Sequence, residues 1–110
     1  MLNDTLNKIK HIFTQNKNIS NETKEELLSL FSQLESELHT LSSKQEEDAN
    51  SIAGFTKVAA HESLRQDQDS ELKKVSQKGL QSSIRKFETS NPGLVKVINR
   101  ISNVLSSIGV

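Results

Sequence analysis

Residues 87–110, FETSNPGLVKVINRISNVLSSIGV, decide the fold class. Asn91 is a helix-capping residue type, and Pro92 falls at the first helical position, where a missing N–H costs nothing. Leu94, Ile98, Ile101, Leu105 and Ile108 follow at spacings of four, three, four and three. Val97 and Val104 widen that seam into a stripe, and Gly109 is a stop. The spacing predicts a helix over 92–108 whose apolar face is covered by other protein, with Ile98, Ile101 and Leu105 in the core.

The same reading extends upstream. Thr89-Ser90-Asn91-Pro92 is a turn, because the residue before a proline is pushed out of helical geometry. Before it, Leu72, Val75, Leu80, Ile84 and Phe87 give a helix over 70–88 an apolar face, with Asp67 or Asp69 as its cap. Further back, Leu27, Phe31, Leu34, Leu38 and Leu41 keep a seven-residue repeat. Its register continues through Gln45 and Asp48 to Ile52, Phe55 and Ala59. The apolar phase returns after a polar gap without slipping, which predicts one helix over 21–64, although helices average about 11–12 residues. Ser42-Ser43 and Asn50-Ser51 are the places where it would break. Ser20 or Asn21 caps its start, and Glu22, Glu25 and Glu26 suit the positive end of the helix dipole. Small residues gather at Ala49, Ala53, Gly54, Ala59 and Ala60. Glycine inside a helix costs about 1 kcal/mol against alanine, so close packing is the expected reason for Gly54, with a bend as the alternative. A short first helix is expected over 3–15, with Asn3 or Asp4 as its cap; Leu2, Leu6, Ile9 and Phe13 recur at helical spacing there, with Ile12 beside them. Period-two alternation is absent. The expected fold is all-α, an antiparallel bundle of about four helices with one long central helix, dimeric, in a single domain over 1–110.

Composition supports a covered fold with a thin core. Leu, Ile, Val and Phe supply 31 of 110 residues, above the roughly 20% below which chains stay disordered. The wider apolar share, 33%, is nevertheless low, and a small chain with little core gains from a second copy or a partner. Cysteine is absent, so there is no disulfide, thiolate metal site or cysteine nucleophile. The start of the chain lacks the apolar run of a secretory signal, and no stretch is long and apolar enough to span a bilayer. A cytoplasmic protein is the expectation.

Candidate chemistry is sparse. His61-Glu62 begins like a zinc-protease motif, but Arg65 stands where the second His belongs. His11, His39 and His61 are far apart in sequence, and zinc needs three or four ligands together. Glu46-Glu47-Asp48 are neighbours on a helix and point about 100° apart, which suits a solvated face rather than an acid–base pair. No serine lies in a Gly-x-Ser-x-Gly elbow, and the glycines are isolated, so no loop cradles a phosphate. No enzyme activity, metal or cofactor is expected. Charge is polarised: residues 1–72 hold 13 acids and 7 bases, whereas 73–110 hold 7 bases and one acid. The halves cancel, which favours contact between them or with a second copy over an external anion.

At its C-terminal end the chain resembles a bacterial family of short helical proteins of unknown function. Its members read F-E-x-S-H-P-x-L, then an apolar helix, then L-S-N-x-G-I. The matching residues are Phe87, Glu88, Ser90, Pro92 and Leu94, then Leu105, Ser106, Gly109 and Val110. Asn91 replaces the family's usual His and Ser107 its Asn, so a role for that His does not carry over. Ile52-Ala53-Gly54-Phe55-Thr56 and Ala60-His61-Glu62 resemble longer members. The resemblance implies a soluble bacterial helical protein and no chemistry.

The expected function is therefore a non-catalytic module that self-associates or docks on a protein. Leu34, Leu38, Leu41, Ile52 and Phe55 are the candidate interface. The alternative is a binder of nucleic acid or another anionic surface through Lys73, Lys74, Lys78, Arg85 and Lys86, five bases with no acid among them. Zero net charge and only four aromatic residues, all Phe, disfavour nucleic acid. Lys96 and Arg100 are the last helix's only charges, which disfavours a membrane surface.

Overall fold

The computed structural model describes residues 1–108. It is all-α, with no strand among the described residues: α1 (Leu2–Gln15), α2 (Asn21–Ser42), α3 (Glu46–Leu64), α4 (Ser70–Ile84) and α5 (Pro92–Ser106), plus a single 3₁₀ turn at Arg85–Phe87. The radius of gyration, 12.9 Å, equals that of a close-packed chain of this length.

The expected helix over 21–64 is two helices. The break adjoins Ser42-Ser43 and has a defined cause. The backbone N–H groups of Ser43, Lys44 and Gln45 all converge on the Leu41 carbonyl, which closes the helix. Gln45 leaves helical geometry at φ −138°, ψ 68°. Its side-chain amide donates to Asp48 Oδ2 at 3.1 Å, fixing the new start. The in-phase apolar residues beyond the gap do not continue the α2 seam. α3 folds back and buries its own wider stripe, Ala49, Ile52, Ala53, Thr56, Ala59, Ala60, Ser63 and Leu64. Gln45 and Phe55, both in phase with α2, are exposed.

The other caps follow the local sequence except at α1, which starts at Leu2 behind Met1 with no side-chain cap from the expected Asn3 or Asp4. Ser20 Oγ accepts from the Thr23 N–H, Asp69 from Glu71 and Leu72, and Asn91 Oδ1 from Leu94. The helix expected over 70–88 tightens after Ile84 into the 3₁₀ turn, which drives Phe87 into the core. α5 ends at Ser106, two residues before the expected limit; the expected stop at Gly109 lies outside the described residues.

Contacts at the helix ends set the directions. Asn16 Nδ2 donates to the Leu64 carbonyl at 2.8 Å, so α1 and α3 finish at the same end. Lys86 pairs with Asp48 at 2.7 Å, placing the end of α4 at the start of α3. Lys73 Nζ reaches the Ile108 carbonyl at 2.6 Å, so α5 returns antiparallel to α4. α3 packs on all four other helices, whereas α1 touches neither α4 nor α5 and α2 does not touch α4. The arrangement is two-layered: α1, α3 and α4 side by side, with α2 and α5 behind. Small residues make the central position possible. Ala49, Ala53, Ala59 and Ala60 are fully buried and let neighbours approach the α3 backbone. One side of α3 faces outward, uncovered by any helix of the chain.

Candidate functional site

The uncovered side of α3 and the adjoining edge of α4 form the candidate site. Four large apolar side chains stand out of the core there: Phe55 is 42% exposed, Val58 43%, Leu72 45% and Val75 61%. Phe55 and Val58 are one turn apart on α3, and Leu72 and Val75 one turn apart on α4. The Phe55 ring lies over Gly79. A Cβ at Gly79 would sit 2.7 Å from the ring's Cδ1 and Cε1, so this glycine is what lets the ring settle against α4. Gly54 is different. Nothing lies within 4 Å of where its Cβ would be, and the close packing expected of it is absent within the chain.

Two grooves flank the outward ridge of α3. The one between α1 and α3 has a volume of about 610 Å³. Ile12 and Val58 give it a mostly apolar floor, and Lys8, His11, Lys57 and His61 stand at its rim. Glu62 closes that side. It accepts from Arg65 Nη1 at 2.9 Å and lies 3.9 Å from His61 Nε2. The hydrogen bond to Glu62, and then the charge of Glu62, hold the Arg65 guanidinium above its ordinary value. A cation shifted in that direction keeps its stabilisation at every pH below its usual titration range. The groove between α3 and α4 runs past Asp48, Ser51, Phe55 and Gly79 to Arg85 and Lys86.

The residues singled out in the sequence are dispersed. Leu34, Leu38, Leu41 and Ile52 are all buried by the chain's own helices. Their burial requires no second copy. Of the five candidate interface residues only Phe55 reaches solvent. The basic segment is also divided. Lys73 is engaged with the Ile108 carbonyl, and Lys86 with Asp48 while lying 5.6 Å from the Phe87 ring centre. Lys74 and Lys78 are exposed on α4, and Arg85 is exposed in the 3₁₀ turn that follows it. Lys86–Asp48 is the one ion pair among the described residues that joins the acidic and basic parts of the chain. His11 and His61 border the same groove, and His39 is exposed on α2. Among the described residues no three His, Cys, Asp or Glu side chains come close enough to share a metal.

Leu72 and Val75 were expected inside, with Leu80, Ile84 and Phe87, and only the last three are buried. The helical period explains this. Two steps of four residues rotate Leu72 about 80° away from Leu80, and Val75 lies farther round still. The core side of α4 is taken instead by Ser76, Leu80 and Ile84, and Ser102 of α5 donates its hydroxyl to Gln77 Oε1 beside it. This face was not expected from the sequence; an apolar pair out of phase with its neighbours is the signal that marks it.

Residues 57–110 match a family model described as a domain of unknown function (DUF4404). The match starts inside α3 and runs through α4 and α5. It includes the motif from Phe87 onward and Ala60-His61-Glu62, while Ile52–Thr56 fall outside it. No curated protein and no solved structure matches the chain. No helix among the described residues is long and apolar enough to cross a membrane.

Proposed function

We propose that this small helical protein is a non-catalytic docking module whose outward α3–α4 face covers a protein surface. One observation carries the reading: Phe55, Val58, Leu72 and Val75 stand exposed on two adjacent helices, and Val58 also lines the apolar groove between α1 and α3. Scattered exposed apolar residues are ordinary, but a contiguous set marks an interaction site. Among the described residues, the clefts beside this face show no nucleophile hydrogen-bonded to a base, and His61 and Lys86 at their rims lie largely open to water, which suits recognition rather than catalysis. The five-base cluster of the alternative reading is split by the Lys73 and Lys86 contacts, so an anionic partner has less to hold.

The test uses the full chain with Leu72→Lys and Val75→Lys together. Both side chains are exposed, so the melting temperature should hold within a few degrees. Association of the wild type is measured by sedimentation for self-contact. For another protein it is measured by re-binding of a purified companion from the native host. Either association should be lost in the double variant. A double variant that binds as the wild type does, or a wild type that binds neither itself nor another protein, overturns the reading.

A further inference from the structure

Gly54 is the residue on the outward face that the chain itself does not explain. Gly79 is required by the Phe55 ring, but a side chain at Gly54 would meet nothing within 4 Å. Glycine in mid-helix weakens the helix, so its use here points to a neighbour from outside. Val58 lies one turn along the same face, half-exposed. α1 and α4 flank the ridge on either side without touching each other. Charge differs between the two ends of the helix: Glu46, Glu47 and Asp48 lie in the first turn, and Lys57, Glu62 and Arg65 lie toward the other end.

A second copy of α3 fits these features in one direction only. Contacts across a two-fold axis are reciprocal. In a parallel pair Gly54 faces Gly54, Val58 faces Val58 and Glu47 faces Glu47, which combines a void, a collision and a repulsion. In an antiparallel pair centred level with Thr56, Val58 of each copy enters the gap at Gly54 of the other. Glu47 of each then lies beside Arg65 of the other. Arg65 already donates to Glu62, and a guanidinium has five donors, enough for both carboxylates. We infer that the outward face of α3 is a homodimer interface, an antiparallel helix pair with Val58 of one copy packed on Gly54 of the other. This rests on the docking reading above and names its occupant.

The chain contains no Cys, so single-cysteine variants report the register. Full-length Gly54→Cys and Val58→Cys are mixed under mild oxidation. Cysteines facing each other across a close helix pair come within bridging range, whereas 54 to 54 and 58 to 58 are offset by about 6 Å along the axis. The mixture should cross-link about tenfold faster than either variant alone, and sedimentation equilibrium should show the wild type as a dimer. Gly54→Leu should raise the dimer dissociation constant about tenfold, while at concentrations low enough to keep both proteins monomeric the melting temperature should hold, since a Cβ there meets nothing within 4 Å. A merely structural glycine would leave association unchanged. A wild-type dimer that Gly54→Leu does not weaken, or a mixture that cross-links no faster than its components, overturns the pairing and leaves the docking face standing. A wild-type monomer at micromolar concentration also overturns the pairing. The face then belongs to a protein of different sequence, which the Leu72 and Val75 variants test separately.

Discussion

Replacing Gly54 by Ala adds a methyl group into open space. The monomer should gain about 0.5–1 kcal/mol from the reduced backbone freedom of the unfolded chain and the better helix propensity. A higher urea midpoint with unchanged slope checks it. Gly79→Ala gives the same local gain but must push the Phe55 ring aside, because the new Cβ would lie 2.7 Å from two of its atoms. Gly79→Ala is therefore expected to fall short of Gly54→Ala by about 1 kcal/mol. Equal gains would show that the ring does not rest there. Nothing in the sequence distinguishes these two glycines. Each sits in a helical pattern with apolar residues nearby, and only the placement of a neighbouring helix separates them. Asn16 makes a similar point. In sequence it belongs to a polar run of turn formers, yet its amide caps the last carbonyl of a helix 48 positions away. Asn16→Ala leaves that carbonyl short of a partner and should cost about 1–2 kcal/mol in urea denaturation.

Among the elements, α5 was the most legible. A cap, a proline, a regular apolar seam and a turn before its start all agree, and Leu94, Ile98, Ile101 and Leu105 are fully buried. α2 and α3 were harder to separate, because the residues after the turn fall in step with the α2 repeat by number alone. The three-residue break is made by backbone bonds onto Leu41, which composition hardly announces. That merger hid the candidate site. With one long helix, Leu34, Leu38 and Leu41 lay on a free seam, whereas folding α3 back covers them and turns Phe55 and Val58 outward. Leu38→Ala should cost about 2–5 kcal/mol, as at a fully buried leucine. Leu72→Ala, at a largely solvated position, should cost under about 1 kcal/mol. Lys74 and Lys78 on α4, and Arg85 in the 3₁₀ turn after it, are what remains of the basic segment once Lys73 and Lys86 are engaged. Three cations should not hold the chain on heparin at physiological salt. Firm retention that disappears when all three become Gln would restore an anionic partner.

At the scale of the whole molecule, where the described residues hold no strand, the all-α class was legible because apolar period and capping agreed along most of the chain. The layer order was not, since it depends on which of several apolar faces meet. The arrangement has a consequence for the stretch that matches the DUF4404 model. α3 is the hub on which every other helix rests, and the match begins at Lys57, in its middle. A fragment of residues 57–110 would keep α4, α5 and only the last turns of that hub. It would lose Ile52 and Ala53, along with all of α1 and α2. Expressed alone, such a piece should give a coil-like circular dichroism spectrum, and adding the severed 1–56 peptide in trans should restore helicity.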